Sequence, residues 1–435
     1  MEAGQTGERG LNASGPVLVV GGGPAGIMAA LAAARTGARV VLLEKNRDLG
    51  RKLLLTGNGR CNLSNQAGLE SLIANMPGNG RFLYGAFSRF GPEALIRYLG
   101  DLGLSTRIEA DGRVFPAGDR AQDVLDSLRG ALARAGVSIR TGIDVAELIR
   151  EEQHVSGVRS TSGIMRGKAV VIATGGMSYP QTGSTGDGYR LAASAGHRIV
   201  TPLPSLVPLE TVEPWTRDLQ GLALPRVGAA VFAGRRKNAS ETGEMLFTHF
   251  GVSGPLILRL SRGIVRALAA DETPVVLHLD LHPAGPREAL EARVLEALAN
   301  KGRRLAVNAL EGLLPSRLAP LVLAFAGISP AEPAHQLTRD ARRRLCRLMK
   351  DLPLTVKRAR PLTEAYVTAG GVAVAEIDPR TMASRLVQGL YFAGEVMDVD
   401  GFTGGFNLQA AFSTGFIAGE AAGGYGEWRR AGVEE

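Results

Sequence analysis

Three glycines and one glutamate have the types and spacing of a dinucleotide-binding site. Gly21, Gly23 and Gly26 form the pattern Gly-x-Gly-x-x-Gly, and Glu44 follows further along the chain. In such a site the first glycine permits a tight turn, the second lets the backbone approach a pyrophosphate, and the third lets a helix pack closely on a strand. The acid accepts hydrogen bonds from an adenosine ribose and disfavours a 2′-phosphate. These residues predict that the chain binds a dinucleotide.

The elements that would position these residues follow in the required order. An apolar run at 17–20 predicts a buried parallel strand, which leads into the glycines and then into an alanine-rich helix ending near Arg35. A second apolar run at 40–43 predicts another strand, and Glu44 stands at its end. The helix N-terminus would face the phosphates with free N–H groups and a partial positive charge.

Length and composition limit the number of domains and the class of protein. With 435 residues, 45% of them apolar, the chain is long enough for two or three domains. Cys61 and Cys346 are too few for a disulfide framework or a cysteine zinc site, so we expect a reducing cytoplasm and no bound metal. Residues 1–15 are polar and glycine-rich, which predicts a disordered tail without a signal peptide. No segment predicts a membrane span.

The positive charge is concentrated in the middle of the chain. Residues 201–360 contain 23 Lys and Arg against 15 Asp and Glu, a difference of +8, whereas the rest of the chain has 27 of each. A basic surface attracts and holds polyanions such as RNA. An arginine-rich composition with solvated helix faces accounts for the same excess, and both interpretations stay open.

Changes in composition and hydrophobic periodicity along the chain divide it into a discontinuous nucleotide-binding domain and an insert. Residues 138–159 suggest a small antiparallel sheet, and 169–176 return to a buried strand that ends in glycines. From 201 onward, prolines cluster and short strands precede amphipathic helices at 287–299, 315–325 and 339–349. We predict that residues 16–200 and 353–435 form the nucleotide-binding domain, and that 201–352 form an insert, part β and part α.

Several glycine-rich segments indicate which dinucleotide is bound. A strand ending at 391–395, followed by a glycine-rich turn and a long helix, resembles the second FAD fingerprint of two-domain flavoproteins. More narrowly, the chain resembles one family of bacterial flavoproteins, which groups proteins similar to 3-dehydro-bile-acid reductases, aminoacetone oxidases and ribosomal RNA dihydrouridine synthases. The segments that carry this resemblance are 50–62, 174–188, 247–255 and 404–409.

The resemblance covers residues 16–422 and implies an α/β fold. It implies a Rossmann-like FAD-binding domain with an insert, β-barrel-like at 201–283 and helical at 284–352. Glu395 stands where such flavoproteins more often have Asp to hold the ribityl chain, so its hydrogen-bond partner stays open. The residues predicted to bind FAD are Gly21, Gly23, Pro24, Ala25, Gly26, Glu44, Lys45, Arg51, Lys52, Gly59, Arg60, Thr174, Gly175, Gly176, Asp187, Gly394, Glu395, Gly405, Phe406 and Asn407.

Two helix starts could act on a bound flavin. Reduced flavin carries negative charge at its N1 and C2 carbonyl edge, which a helix N-terminus would stabilise. Gly405, Phe406 and Asn407 open the last predicted helix and are the candidates for this role. Asp187 could cap another helix beside the flavin. Arg51 and Lys52 could meet a phosphate or the flavin ring.

Three titratable residues in loop-like sequence could supply a proton. Hydride transfer to an electron-poor double bond leaves a carbanion or enolate that an acid must protonate. Cys61, Tyr179 and His249 are the candidates. Cys61 lies between Arg60 and Asn62, and this basic, polar sequence predicts a lowered thiol pKa. A buried packing role for Cys61 stays open.

The sequence leaves three functional hypotheses. The first is an FAD-dependent oxidoreductase that is reduced by transiently bound NAD(P)H, since there is no second Gly-x-Gly-x-x-Gly unit, and passes hydride to an unsaturated substrate. One specific candidate substrate is a uridine in large-subunit ribosomal RNA. The second hypothesis is a small-molecule enone reductase or amine oxidase. The third is a flavin-binding protein that docks on RNA without catalysis.

Overall fold

The computed structural model describes residues 15–300 and 304–425, which form two compact units. One unit comprises the described residues up to Leu203 and from Val367 onward, and the other comprises Pro204–Tyr366. All but the last residue of the predicted tail, and three residues of the basic run at 301–304, lie outside the described ranges. Within those ranges, no helix has both the length and the apolar character needed to cross a membrane.

Nineteen strands are formed by the described residues. In chain order they are β1 Val17–Val20, β2 Val40–Glu44, β3 Ser64–Asn65, β4 Thr106–Ile108, β5 Arg113–Pro116, β6 Ser138–Thr141, β7 Val145–Glu151, β8 His154–Ser160, β9 Gly163–Arg166, β10 Ala169–Ile172, β11 Ile199–Ser205, β12 Leu209–Thr211, β13 Ala223–Ala233, β14 Arg236–Phe247, β15 Gly251–Ser253, β16 Val275–Asp280, β17 Leu352–Ala359, β18 Val367–Val372 and β19 Leu390–Phe392.

Thirteen α-helices are formed by the same residues. They are α1 Pro24–Arg35, α2 Arg51–Leu55, α3 Leu69–Ala74, α4 Tyr84–Arg89, α5 Pro92–Asp101, α6 Ala121–Arg134, α7 Asp187–Ser194, α8 Pro255–Ala269, α9 Arg287–Asn300, α10 Ala306–Ala309, α11 Ala319–Phe325, α12 Arg339–Lys350 and α13 Phe406–Gly424.

A five-stranded parallel sheet is the centre of the first unit. Its strand order is β19-β10-β1-β2-β6, and every pair of neighbours is parallel. Strands β1 and β10 are buried along their whole length, because both faces of a parallel sheet are covered. Strand β19 pairs with β10, so the C-terminal segment completes the sheet that the N-terminal segment begins. The predicted discontinuous Rossmann-like fold is confirmed.

The predicted small antiparallel sheet has a different membership. Strand β6 belongs to the parallel sheet, where it pairs with β2, and the antiparallel sheet consists of β7, β8 and β9. The prediction that β6 joins the antiparallel sheet was wrong, since its side chains are exposed and carry no periodic signal that distinguishes the two sheets.

Helices α1 and α13 pack with their backbones in contact. A Cβ atom added to Gly415, Gly419 or Gly423 would lie 2.3 Å from Ala25 O, 2.2 Å from Ala29 O and 3.0 Å from Ala33 O, respectively. Contacts that advance by four residues on both helices show that the helices run parallel. Glycine is required along this seam because any side chain would separate the two backbones.

The second unit contains a closed six-stranded barrel. Its strand order is β12-β15-β14-β13-β16-β17, with antiparallel neighbours. Buried and partly exposed residues alternate along β16, as expected for a strand with one face in a barrel core. Strand β17 pairs with both β12 and β16 and closes the barrel. The predicted β-barrel-like insert with helices is therefore confirmed as a fold class.

The barrel differs from the prediction in its boundary. The sequence interpretation ends the barrel part at 283 and the insert at 352, whereas the last barrel strand is β17 at Leu352–Ala359 and the compact unit runs to Tyr366. A barrel has no free edge, so its final strand must return after the helices α9 to α12. That long-range pairing leaves no local signal in the sequence.

We predict that Gly419→Ala destabilises the first unit by about 1–3 kcal/mol, because the new methyl group would collide with the Ala29 carbonyl and force α1 and α13 apart. Urea-induced unfolding followed by circular dichroism measures this change. The matched control is Gly100→Ala in α5, where an added Cβ meets no atom within 4 Å. This control should be neutral or stabilising by up to about 1 kcal/mol. Equal stability of the two variants would contradict close backbone packing.

Candidate functional site

The glycine loop between β1 and α1 has the geometry of a phosphate cradle. Gly21 has a φ of 108°, in the region that favours glycine, and a Cβ added to Gly26 would lie 1.8 Å from Gly21 O. A Cβ added to Gly23 would meet no atom within 4 Å, so this side of the loop is open. The three glycines therefore make the turn, the open face and the close packing that the sequence predicts.

The N-terminus of α1 faces that open side without a side-chain cap. Gly23 is the N-cap residue, Pro24 and Ala25 follow, and the first turn contains no acidic residue. Unpaired N–H groups and the helix dipole make such an end an anion site. The loop and helix end fit the pyrophosphate of FAD.

Glu44 lies at the end of β2 beside the glycine loop and is 7% exposed. Its Oε2 accepts a hydrogen bond from Gly22 N at 2.7 Å, and its Oε1 accepts hydrogen bonds from Asn46 N at 2.8 Å and Asn46 Nδ2 at 2.7 Å. The carboxylate thus fixes the glycine loop to β2. It also occupies the end of the strand at which a ribose-binding acid is expected.

Lys45 and Asp187 form an ion pair, with Thr185 hydrogen-bonded to both. Burial alone would raise the pKa of Asp187, but the hydrogen bonds from Lys45 and Thr185 outweigh it, and the pKa lies below its usual range. The prediction that Asp187 caps α7 was wrong. Gly186 is the N-cap residue, with a φ of 86°, and Asp187 is the first helical residue. Its carboxylate pairs with Lys45 instead of capping the helix.

Glu395 is the centre of a hydrogen-bonded cluster that joins four segments of the first unit. Its carboxylate accepts hydrogen bonds from Lys52 Nζ at 2.8 Å, Thr368 N at 2.8 Å and Ser178 Oγ at 3.1 Å. Lys52 Nζ also donates to Ser178 Oγ at 2.7 Å. Burial alone would raise the pKa of Glu395, but the charge of Lys52 and these hydrogen bonds outweigh it and lower the pKa. Lys52, predicted to meet a phosphate or the flavin ring, has its ammonium group on this carboxylate.

The loop after β10 packs directly on this cluster. A Cβ added to Gly176 would lie 2.5 Å from Thr368 Oγ1 and 3.0 Å from Glu395 Oε1. Gly175 has a φ of 75° and follows Thr174, so the chain turns sharply where the strand ends. Gly394 has a φ of 77° and donates its N–H to Thr414 Oγ1 at 3.0 Å on α13. The predicted glycines at 175, 176 and 394 thus lie on either side of the Glu395 cluster.

The N-terminus of α13 is held by the segment that carries Cys61. Gly405, with a φ of 97°, is the N-cap residue. In the amide orientation that satisfies both partners, Asn62 accepts a hydrogen bond from Gly405 N and donates one to Ser64 O, each at 3.0 Å. Ser64 Oγ donates to Gln409 Oε1 at 2.6 Å. Two segments of the family resemblance, 50–62 and 404–409, therefore meet in space.

Asn407 stabilises the loop that precedes α13. Its Oδ1 accepts a hydrogen bond from Gly401 N, and its Nδ2 donates to Gly401 O, both at 2.8 Å. No side chain caps α13, and its first turn, which begins at Phe406, contains no acidic residue. The helix end therefore retains its partial positive charge.

The two uncapped helix ends are offset along parallel axes. Gly415 of α13 lies against Ala25 at the start of α1, whereas α13 begins at Phe406. At 1.5 Å per residue, the N-terminus of α13 extends about 12 Å beyond that of α1. The first unit therefore contains two positive helix ends that are separated along the helix axes by about 12 Å.

Comparisons with known proteins identify the family of this chain. Residues 15–421 match the family described as the HI0933-like protein Rossmann domain. The chain belongs to the HI0933-like Rossmann family. This membership confirms the resemblance inferred from the sequence and the prediction that the chain is an FAD-dependent oxidoreductase.

Two curated members of the family match along nearly their whole length. The 3-dehydro-bile acid delta(4,6)-reductase of Clostridium scindens is 34% identical over 93% of this chain and 98% of its own length. The ribosomal RNA dihydrouridine synthase of Escherichia coli is 30% identical over 93% of this chain and 96% of its own. The crystal structure of 3-ketosteroid delta1-dehydrogenase from Sterolibacterium denitrificans shares the fold, with a TM-score of 0.52, 15% identity, and coverage of 94% of this chain and 99% of that one.

Arg51 and Arg60, two residues predicted to bind FAD, make side-chain contacts within this HI0933-like chain, whereas Gly59 lies on the surface. Arg51 donates to Asn46 Oδ1 at 2.8 Å on the surface. The Arg60 guanidinium lies 3.9 Å from the centre of the Phe115 ring and pairs with Asp119 at 2.9 Å, and it also pairs with Glu109. Gly59 is exposed, with a φ of 84°. Arg60 thus anchors the loop at 56–61 to strands β4 and β5, and its guanidinium is committed to protein partners.

Cys61 is completely buried, and burial raises the pKa of its thiol to about 12. The expectation of a lowered pKa was wrong, because a neighbouring arginine in sequence need not face the thiol. Arg60 points to two carboxylates, whereas Cys61 packs in the apolar core. A thiol that is both buried and weakly acidic is poorly suited to donate a proton to a substrate.

The other two proton-donor candidates lie in different units. Tyr179 is half-buried next to Ser178 of the Glu395 cluster and has a φ of 53°. His249 is exposed in the tight turn between β14 and β15, with its ring 4.9 Å from that of Phe250. The structure therefore puts Tyr179, but not His249, in the unit that carries the residues predicted to bind FAD.

Sequence reasoning missed Thr368, which links the loop after β10 to the Glu395 cluster. Thr368 Oγ1 accepts hydrogen bonds from Met177 N at 2.8 Å and Ser178 N at 3.1 Å, and Thr368 is itself fully buried. The only signal was its position two residues before the pair Gly370 and Gly371. A buried threonine next to glycines has many structural explanations, so this signal does not identify a role.

We predict that Lys52→Met and Glu395→Gln each destabilise the protein by about 1–3 kcal/mol, because each leaves a partly buried polar partner unsatisfied. The double variant should lose less than the sum of the two, with a coupling of at least about 0.5 kcal/mol. Urea unfolding measures all four proteins. Arg51→Gln, on the exposed side of the same helix, serves as the control and should change stability by less than about 0.5 kcal/mol. Additive losses would contradict a direct interaction.

The same pair predicts a pH dependence. Because the pKa of Glu395 is lowered in the folded protein, its stabilising contribution is fully present above the ordinary value of 4.5 and is lost as pH falls through the lowered pKa. The difference in unfolding free energy between wild type and Glu395→Gln should therefore shrink on acidification. A difference that stays constant from neutral to acidic pH would contradict the shift.

We predict that neither cysteine reacts with a thiol reagent in the native protein at neutral pH. Cys61 and Cys346 are 0% and 1% exposed, and burial raises their pKa values to about 12 and about 11. Titration with a chromogenic disulfide reagent should detect both thiols only after denaturation. Rapid modification of Cys61 in the native protein would show that the loop at 56–61 opens.

Proposed function

We propose that this protein is an FAD-dependent reductase that uses NAD(P)H to reduce a ring carbon–carbon double bond conjugated to a carbonyl group. Its two uncapped helix ends, offset by about 12 Å, carry the proposal. They match the two parts of FAD that are negative in the reduced enzyme. Bound FAD would supply hydride transfer from NAD(P)H to the substrate.

The chain's own residues would hold and polarise the cofactor. The α1 N-terminus and the open face at Gly23 would bind the pyrophosphate, and Glu44 would accept a hydrogen bond from the adenosine ribose. Lys45 and Asp187 would border the cofactor as a neutral ion pair. The α13 N-terminus would stabilise negative charge on the reduced ring.

The substrate class is supported by the names of the two relatives. A delta(4,6)-reductase acting on a 3-dehydro compound and a dihydrouridine synthase both saturate a ring double bond conjugated to a carbonyl. Addition of hydride to such a bond places negative charge on the carbonyl oxygen and the α-carbon, and the α-carbon then takes a proton. Tyr179, next to Ser178 of the Glu395 cluster, is the proposed donor, and His249 is the alternative.

Two buried, unpaired cysteines support a reducing, cytoplasmic setting.

The test is anaerobic bleaching of the flavin spectrum by NADH or NADPH, followed by addition of a 3-oxo-4,6-diene steroid or transcribed large-subunit ribosomal RNA. Bleaching and then reoxidation by one of these acceptors, with the saturated product detected by mass spectrometry, is the expected result. Tyr179→Phe should slow reoxidation at least about tenfold while bleaching is unchanged. Bleaching without reoxidation by either acceptor would refute the substrate class. A flavin that neither nucleotide bleaches would refute NAD(P)H as the reductant.

A further inference from the structure

Helix α12 is the most basic helix in the described part of the chain. Between Arg339 and Lys350 it contains six arginines and lysines and a single acid, Asp340. The second unit, Pro204–Tyr366, carries most of the excess charge, since it contains 23 Lys and Arg against 16 Asp and Glu, a difference of +7. Bases of α12 that face the rest of the protein can have structural partners, whereas bases on the solvent face are available to an external partner.

Three arginines form a stripe on the solvent face of α12. Ala341, Leu345, Cys346 and Met349 are buried in the core of the second unit. Arg339, Arg343 and Arg347 are exposed and lie at intervals of four residues, so they project from the same face about 6 Å apart along the axis. We call these three residues the arginine stripe.

The arginine stripe has no side-chain partner among the residues that the structure describes. None of its three residues forms an ion pair or hydrogen bond with any side chain in residues 15–300 or 304–425. The remaining bases of α12 do have partners: Arg342 donates to Leu337 O, Arg344 donates to Ala326 O, and Lys350 pairs with Asp280 at 2.6 Å. Like charges four residues apart repel each other and weaken a helix. The stripe therefore opposes helix stability, as expected of residues that serve an external anion.

We propose that the arginine stripe binds consecutive phosphates of an RNA backbone and thereby docks an RNA substrate. This inference rests on the proposed function. Of the two substrates considered there, a dienone steroid and ribosomal RNA, it selects the RNA. Guanidinium groups bind phosphates in a bidentate manner, and backbone contacts position a nucleic acid without reading its sequence. A membrane surface fits less well, because the apolar face of α12 is buried in the protein core and the stripe includes no apolar side chain to enter a bilayer.

The test compares RNA affinity in wild type, the triple variant Arg339→Gln/Arg343→Gln/Arg347→Gln and a control with the same charge change, Arg235→Gln/Lys237→Gln/Arg266→Gln. The control bases are also exposed, and two of them border a groove of about 560 Å³ between the β13–β14 hairpin and α8. Fluorescence anisotropy with a labelled RNA hairpin gives the affinity of each full-length protein between about 50 and 200 mM salt. Circular dichroism and flavin content verify that each variant is folded.

Loss of three phosphate contacts should make the slope of log affinity against log salt less steep by about 2.1 to 2.7, and only in the triple variant. Wild-type affinity should then fall about 20- to 40-fold more than that of the triple variant over this salt range. Equal effects in the triple variant and the control, a larger effect in the control, or no RNA binding by wild type would overturn the proposal. The proposal would also be overturned if the wild-type protein co-sedimented with phosphatidylserine vesicles and did not bind RNA. Reoxidation by the dienone in every variant, with no RNA binding, would refute the docking surface and leave the reductase proposal intact.

Discussion

Close contact between α1 and α13 determines the geometry of the first unit. Gly415, Gly419 and Gly423 bring the backbone of α13 against the alanines of α1, and no larger residue fits between them. Because the helices are parallel and one begins about 12 Å before the other, two positive helix ends are held at a fixed separation. The glycine loop leads directly into α1, and Gly394, next to Glu395, packs against Ala25 at the start of that helix. Asn62 is hydrogen-bonded to Gly405 at the start of α13.

The Glu395 cluster holds in place segments of the first unit that lie outside regular helices and strands, such as the loop after β10. Four segments distant in sequence meet on one carboxylate, and its ion pair with Lys52 compensates for the burial of both charges. Thr368 adds the hydrogen bonds that orient the loop after β10. A cofactor site built from strand ends and turns needs such a support, because loops alone do not hold catalytic geometry.

The division of charge follows the division into units. The basic and acidic residues outside 201–360 are equal in number, and many of those near the proposed FAD site are paired with each other. The barrel unit carries most of the excess, with part of it on an exposed face of α12 that forms no ion pair with any other described residue. The proposed cofactor site therefore lies in one unit, and the proposed surface for a polyanion lies in the other.

Local patterns in the sequence determined the first strand–glycine–helix–strand unit, the discontinuous parallel sheet and the family, since these depend on short-range periodicity and on glycines at fixed spacing. The starts of α1 and α13 were also predictable, because glycine and proline mark helix ends locally. Tertiary structure decided what each charged or titratable group faces. Arg60 and Cys61 are adjacent in sequence, yet one pairs with carboxylates and the other is sealed in the core, so the thiol pKa rises instead of falling. The same holds for Asp187, for Thr368 and for the strand that closes the barrel. Each depends on partners far away in the chain, which local sequence does not encode in a readable form.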